Sequence, residues 1–226
     1  LSTFRSKISV GSNPWSPRAS ARIRRLSHGV RCTVRVRVKI CGITREADAL
    51  LAADAGADAI GFVHWAGSRR AVTPAEARAI AAVLPPFLGT VALFVAPAAD
   101  EVRRVIDATR PDLLQFHGAA EPAFCASFGV PYIKAVKIGA AAPVAGALGY
   151  HALARGLLLD THDPVAVGGT GRAFDWTLVP AGLAKPVILA GGLNAANVAA
   201  AVRQVKPYAV DVSSGVESAP GIKDAA

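Results

Sequence analysis

VRVKICGITREADALLAADAGADAIGFV, residues 36–63, decides the fold. It opens on a short β-branched run, Val36–Ile40, and turns at Cys41-Gly42. An alanine-rich stretch follows, broken at Gly56, and the segment closes on a second apolar run, Ala59–Val63. Strand, helix and strand within about 30 residues make a βαβ unit, whose two strands run parallel. Glu46 and Asp48 stand early in the helix, where negative charge complements its dipole, and Gly56 ends it.

Outward from this unit the same alternation recurs to the end of the chain. Further strands are predicted at Thr90–Val95, Leu113–Phe116, Tyr132–Val136, Gly156–Leu159, Val187–Ala190 and Ala209–Val212. Thr73, Pro74 and Glu76 form a capping box with a first-turn proline for a helix ending near Leu84. Val102, Val105 and Ile106 give the next helix an apolar stripe, and Asn194 is expected to cap one that faces inward through Val198, Val202 and Val205. Between Ile138 and Leu153, Gly and Ala dominate and the helical pattern is weak. Eight parallel strands with short crossovers close as an α/β (β/α)8 TIM barrel, whose site lies at the strands' C-terminal ends. The chain stops at Lys223-Asp224-Ala225-Ala226, where a last barrel helix should begin. The expectation is therefore a barrel lacking its final C-terminal helix, with the outer face of Ala209–Val212 uncovered.

Composition narrows the class further. At 226 residues with 52% apolar and 18% charged residues, the chain suits one globular domain. The net charge of +9 is localised: residues 1–37 hold nine basic residues and no acid, so the other sixteen basic residues face sixteen acids. A neutral body offers no phosphate-backbone surface, and a nucleic-acid role would rest on the leader alone. Residues 1–34 are read as a basic, disordered N-terminal extension, and 35–226 as the barrel. The leader's composition suits an organellar transit peptide or an upstream extension from a misplaced start, of which the second is preferred; it lacks the apolar core of a signal peptide. The charge-free run Ala79–Ala99 is broken by Pro85-Pro86, Gly89 and Pro97, which excludes a membrane span. Cys32, Cys41 and Cys125 are scattered, without a C-x-x-C pair, which points to a reducing cytoplasm rather than to a disulfide framework or a zinc site.

Polar residues and glycines gather just past the predicted strand ends. Cys41 reads either as a small buried hydrophobe or as a reactive thiol. Asp160 follows Leu157-Leu158-Leu159, where burial would raise its pKa and suit it to general acid work; the alternative is a loop aspartate capping a backbone amide. Arg70 reads as a carboxylate clamp or, with Arg69, as a solvated pair. His117 reads first as a structural histidine lining the site. Gly191-Gly192 and Ser213-Ser214-Gly215 follow strands seven and eight, a corner of such barrels that offers N–H groups to phosphate. Gly168–Gly171 reads as a surface turn or a rim lid.

VKICGIT (38–44), GADAIGFV (56–63), Ser68-x-Arg70, QFHG (115–118), LLLDT (157–161), GGTG (168–171), FDW (174–176), LAGGL (189–193) and DVSSGVE (211–217) together resemble phosphoribosylanthranilate isomerases in order and spacing. The resemblance implies an Amadori rearrangement in tryptophan biosynthesis, with Cys41 as general base, Asp160 as general acid and Arg70 holding the anthranilate carboxylate. It further implies phosphate binding at Gly169, Gly171, Gly191, Gly192, Ser213, Ser214 and Gly215. No metal or organic cofactor is expected, since an imine intermediate is its own electron sink. The phosphosugar is the expected partner, with no nucleic acid or membrane, and monomer and homodimer both stay open. The related histidine-pathway aminoaldose isomerases carry an aspartate where Cys41 stands, and a phosphate-binding barrel without activity is the non-enzymatic alternative. The basic leader and Ala71 after the arginine depart from the family pattern.

Overall fold

The computed structural model describes residues 35–138, 144–161, 175–180 and 183–225. The proposed disorder of residues 1–34 and the Gly168–Gly171 loop, with Gly169 and Gly171, lie outside them.

Eight parallel strands close in sequence order: β1 (Arg37–Cys41), β2 (Ala59–Val63), β3 (Gly89–Val95), β4 (Leu113–His117), β5 (Tyr132–Ile138), β6 (Gly156–Thr161), β7 (Val187–Leu189) and β8 (Ala209–Val212). The last pairs with the first, Lys39 opposite Asp211. Among them lie helices α1 (Glu46–Asp54), α2 (Pro74–Ala82), α3 (Ala99–Thr109), α4 (Pro122–Ala126), α5 (Val144–Tyr150) and α6 (Val198–Val205). No described helix is long and apolar enough to cross a membrane.

Alternation along each strand separates two apolar systems. Even-numbered β1 residues Val38 and Ile40 pack outward with Val202 and Val205 of α6, whereas Leu158, Ile188 and Ala209 meet inside the barrel with Leu113 and Ile133. The capping box at α2 forms as read: Glu76 N–H donates to Thr73 Oγ1, and Thr73 N–H to the Glu76 carboxylate. The weak stretch does hold a helix, α5.

Three expectations are corrected. β1, β4 and β6 run one or two residues further than predicted, so Cys41, His117 and Asp160 belong to the strand ladders rather than to the turns beyond. Their direction is thus fixed by the pleat. Asn194 accepts from the N–H groups of Ala196 and Asn197 in a turn, and Asn197 is the residue that precedes α6. Asparagine competes for nearby amides wherever it finds them, and here the turn comes first.

The third concerns the end of the barrel. Beyond β8 a single 3-10 turn, Ser214–Val216, leads into an antiparallel hairpin of β9 (Glu217–Ala219) and β10 (Ile222–Lys223), and no helix follows among the described residues. The outer face of β8 is nevertheless covered: Val210 and Val212 are buried against α6, Val36, Trp176 and Val216.

Candidate active site

The barrel's C-terminal mouth is an open cleft of about 760 Å3, the solvent on its open side included. Cys41, Arg70, His117, Asp160, Gly191, Gly192, Ser213 and Ser214 all line it. Gly215 sits behind them, so close to Leu193 that any side chain would run into the Leu193 carbonyl. That contact locks the loops after β7 and β8 together. Gly191 and Gly192 both take left-handed backbone angles, and the Asn197 side-chain amide donates to the Gly192 carbonyl at 2.9 Å.

Cys41 and Lys39 are two residues apart on β1 and therefore share its inward face. Both are buried, and the Lys39 ammonium donates to both Asp211 oxygens at 2.9 Å. Gly61 on the neighbouring strand makes the room. A Cβ there would lie 2.8 Å from Cys41 Sγ and 3.0 Å from Lys39 Nζ. Burial opposes the Lys39 charge, yet Asp211 and Cys41 together outweigh it and hold the ammonium above its usual value. For Cys41 burial wins, pushing the thiol up, while Lys39 and Lys223 pull the other way and Asp211 adds to the rise.

Asp160 sits at the end of β6, where burial pushes its carboxyl up to about 6, helped by Asp211 and opposed by the Thr161 N–H, Lys137 and Lys39. His117 is held neutral, its pKa brought down to about 3 by burial and by Lys39, Lys134 and Lys137. The Gln115 amide donates to His117 Nε2 at 2.9 Å, so the ring proton belongs on Nδ1.

Arg70 reaches the cleft from the loop after β2. The stem crosses Gly42, where φ is +75° and a Cβ would collide with Arg70 Cδ, so both backbone and space require glycine there. The solvated-pair alternative for Arg70 is not what the structure shows: its side chain is 15% exposed and forms a bidentate pair with Glu217, Nε to Oε1 at 2.8 Å and Nη2 to Oε2 at 2.6 Å.

Sequence reading singled out none of Lys39, Asp211, Glu217 or Lys223. For the first two a signal existed: a lysine two positions before Cys41 on a buried strand must point the same way and needs a partner. Lys223 lies on the terminal hairpin, side chain 3% exposed, and donates to Glu217 Oε1 at 2.8 Å, the Cys41 carbonyl at 2.7 Å and the Ser213 carbonyl at 3.2 Å. The same hairpin is tied to the barrel by Thr44 Oγ1 donating to the Gly221 carbonyl and by the Lys223 N–H donating to buried Asp48. Asp48, read as a dipole partner for α1, is therefore also an anchor for the hairpin. No group of three or more His, Cys, Asp or Glu suited to a metal occurs among the described residues.

Set beside known proteins, residues 38–226 match the family model for N-(5'phosphoribosyl)anthranilate (PRA) isomerase. An N-(5'-phosphoribosyl)anthranilate isomerase of Pseudomonas putida (strain W619) is 58% identical over 191 residues, covering 84% of this chain and 93% of that protein. Among solved structures, the phosphoribosyl anthranilate isomerase of Thermus thermophilus is 42% identical with a TM-score of 0.76, covering 84% of this chain and 93% of its own. Another such isomerase, in complex with reduced 1-(o-carboxyphenylamino)-1-deoxyribulose 5-phosphate, is 37% identical with a TM-score of 0.71, covering 84% of this chain and 93% of its own. A buried cysteine, a carboxyl of raised pKa and a clamped arginine at one barrel mouth thus coincide with a match running from β1 to the hairpin, and the chain belongs to the N-(5'-phosphoribosyl)anthranilate isomerase family.

Proposed function

We propose that this chain catalyses the Amadori rearrangement of N-(5-phosphoribosyl)anthranilate to 1-(o-carboxyphenylamino)-1-deoxyribulose 5-phosphate in the cytoplasm, as a step of tryptophan biosynthesis. Asp160 protonates the furanose ring oxygen, the C1–O bond breaks, and the nitrogen lone pair closes a C1=N Schiff base. The Cys41 thiolate then takes the C2 proton, and the C2–H electron pair flows into the imine to give the enolamine. Protonation at C1, with the C2 hydroxyl proton lost to the Asp160 carboxylate, yields the aminoketose. The imine accepts the electrons, so this chemistry asks for no metal or organic cofactor.

The observation that carries the reading is Asp160, a carboxyl pushed up to about 6 in the same cleft as buried Cys41. A general acid must hold a proton near working pH, which a solvated aspartate does not. Arg70 is read as the contact for the anthranilate carboxylate, and Gly191, Gly192, Ser213, Ser214 and Gly215, with Gly169 and Gly171, as the phosphate site. The related isomerase that forms a complex with the reduced carboxyphenylamino sugar phosphate supports a ligand of this kind. Cys41 and Cys125 are free thiols, which suits a reducing compartment.

Activity requires Asp160 protonated and Cys41 ionised together. Below about pH 6 Asp160 is already protonated and the thiolate fraction falls with pH; above it, loss of the Asp160 proton offsets the gain in thiolate until the thiol itself titrates. Thus kcat/KM is expected to be level from about pH 6 to the raised thiol value and to decline on either side. Cys41→Ala and Asp160→Asn should each lower kcat by at least about a hundredfold while the fold is kept. Turnover of N-(5-phosphoribosyl)anthranilate decides it, and retention of more than about a tenth of the wild-type rate by either variant overturns the assignment.

A further inference from the structure

Among the described residues, Arg70, Glu217 and Lys223 form a cluster of buried charges that the proton transfers do not use. Arginine has five N–H donors in a planar fork, and Glu217 occupies its side edge, Nε–H and one Nη2–H. The end edge remains for a second planar carboxylate. An arginine projecting from a loop would otherwise sample many rotamers, and a ligand would have to freeze them on binding. Here the freezing is already done: Gly42 passes the stem and Glu217 fixes the fork.

A carboxylate beside an arginine normally cancels it as an anion site. Lys223 changes that sum, since two cations around one Glu217 carboxylate leave one positive charge in the cluster. Burial works against the Glu217 charge, but Arg70 and Lys223 outweigh it and keep the group ionised. Lys223 also ties the cluster to both neighbouring parts of the mouth, through the carbonyls of Cys41 and Ser213.

We propose that Glu217, locked by Lys223, is a positioning residue that aims Arg70 at the substrate's carboxylate, so that the β9–β10 hairpin sets the preference for a carboxyphenylamino sugar phosphate over a plain one. This rests on reading Arg70 as the carboxylate contact. Glu217 itself does not touch the substrate. It acts by pre-organising the fork that does, and its effect falls on binding of the carboxylate end rather than on the proton transfers.

The test compares Glu217→Gln, Glu217→Asp and Arg70→Ala with wild type in steady-state turnover, and by calorimetry with two probes: the reduced carboxyphenylamino-deoxyribulose 5-phosphate, and ribulose 5-phosphate, which lacks the carboxylate. For Glu217→Gln we expect KM to rise about tenfold with kcat within about threefold, a matching loss of affinity for the first probe and a change within about twofold for the second. Glu217→Gln leaves Lys223 buried without its counter-charge, and if it does not fold, Glu217→Asp decides. That variant keeps the charge, draws back from the arginine by one methylene, and is expected to lose part of the same discrimination at a near-normal melting temperature. Equal weakening of both probes, or a fall in kcat at constant KM, overturns the proposal in favour of a purely structural pair. Arg70→Ala separates the two readings. If it discriminates between the probes and the Glu217 variants do not, only the positioning role falls; if it does not discriminate, the carboxylate reading of Arg70 falls and takes the positioning role with it.

Discussion

Two clusters of buried charge lie at the same mouth and are built in different ways. Lys39 and Asp211 face each other across the β1–β8 seam, directly in register, and form a neutral pair with both oxygens engaged. Arg70, Glu217 and Lys223 come from a loop and a terminal hairpin, carry a surplus positive charge and leave one edge of the arginine open. The first cluster cannot shift without breaking the barrel's hydrogen-bonded closure. The second is held by side-chain hydrogen bonds, Lys223 to the Cys41 and Ser213 carbonyls among them, and not by the pairing of barrel strands, so it can be retuned. A strand-borne pair suits the part of the site where a proton must be moved, because reacting atoms tolerate little misplacement. A loop-borne cluster suits the part that recognises a substituent.

The contrast can be broken at its rigid side first. Lys39→Met strands Asp211 in the barrel interior, and loss of one partner of a buried pair costs about 3–5 kcal/mol. Because Lys39 draws the Cys41 thiol down, its removal should also move the alkaline break of kcat/KM to higher pH, with little change in affinity for ribulose 5-phosphate. Denaturant melts and a pH–rate profile measure both. The distinction between the clusters fails if Lys39→Met leaves the break in place and instead raises KM as the Glu217 variants are expected to.

A smaller effect sharpens what burial does to Asp160. Its pKa rises from 3.8 to about 6 on folding, so the neutral form is favoured in the folded protein. That contribution is complete below the unfolded value and is lost as pH rises through about 6, by about 3 kcal/mol as an upper figure. Asp160→Asn should therefore match wild type in stability at pH 4 and exceed it at pH 8. Equal melting temperatures at pH 8 would mean that the carboxylate is better solvated than its place on β6 implies.

The smallest change serves as the reference for the other two. Thr73→Ala removes the capping box of α2, three residues beyond Arg70 but outside the cleft lining and bonded to neither cluster, and should cost about 1 kcal/mol while kcat and KM stay at wild-type values. Circular dichroism melts and a turnover assay suffice. A fall in activity here would show that modest destabilisation alone disturbs the mouth, and the variants at Lys39 and Glu217 would need reinterpreting.

Much of this architecture could be read from the sequence wherever one period ruled. Ala59–Val63 and Ala209–Val212 emerged with their final bounds because each is a short run dominated by apolar residues, interrupted only by Gly61 and Asp211. Cys41, Arg70 and Asp160 stood out because a chemistry-bearing side chain abutted such a run or its exit. What stayed hidden was pairing across distance. Nothing near Glu217 or Lys223 names Arg70 as a partner, and a hairpin of five strand residues around Ala219–Gly221 carries too little pattern to be read as strand. The predicted bareness of β8 failed for a related reason. Its cover comes from α6, from β1 and from Trp176, elements that are neighbours only once the barrel has closed.

The hydrogen bond from Lys223 to the Cys41 carbonyl spans 182 positions, ten more than the Lys39–Asp211 contact that marks closure of the sheet. Contacts between such distant parts of a chain are the slowest to find one another, since loop closure must precede any gain from the contact. The hairpin follows β8 in the chain and docks on the loops beyond β1 and β2, so the strands that carry those loops must be paired before Glu217 can hold the arginine fork. Shape arrives before selectivity, and a preparation refolded for too short a time should hold sugar phosphates well before it distinguishes among them.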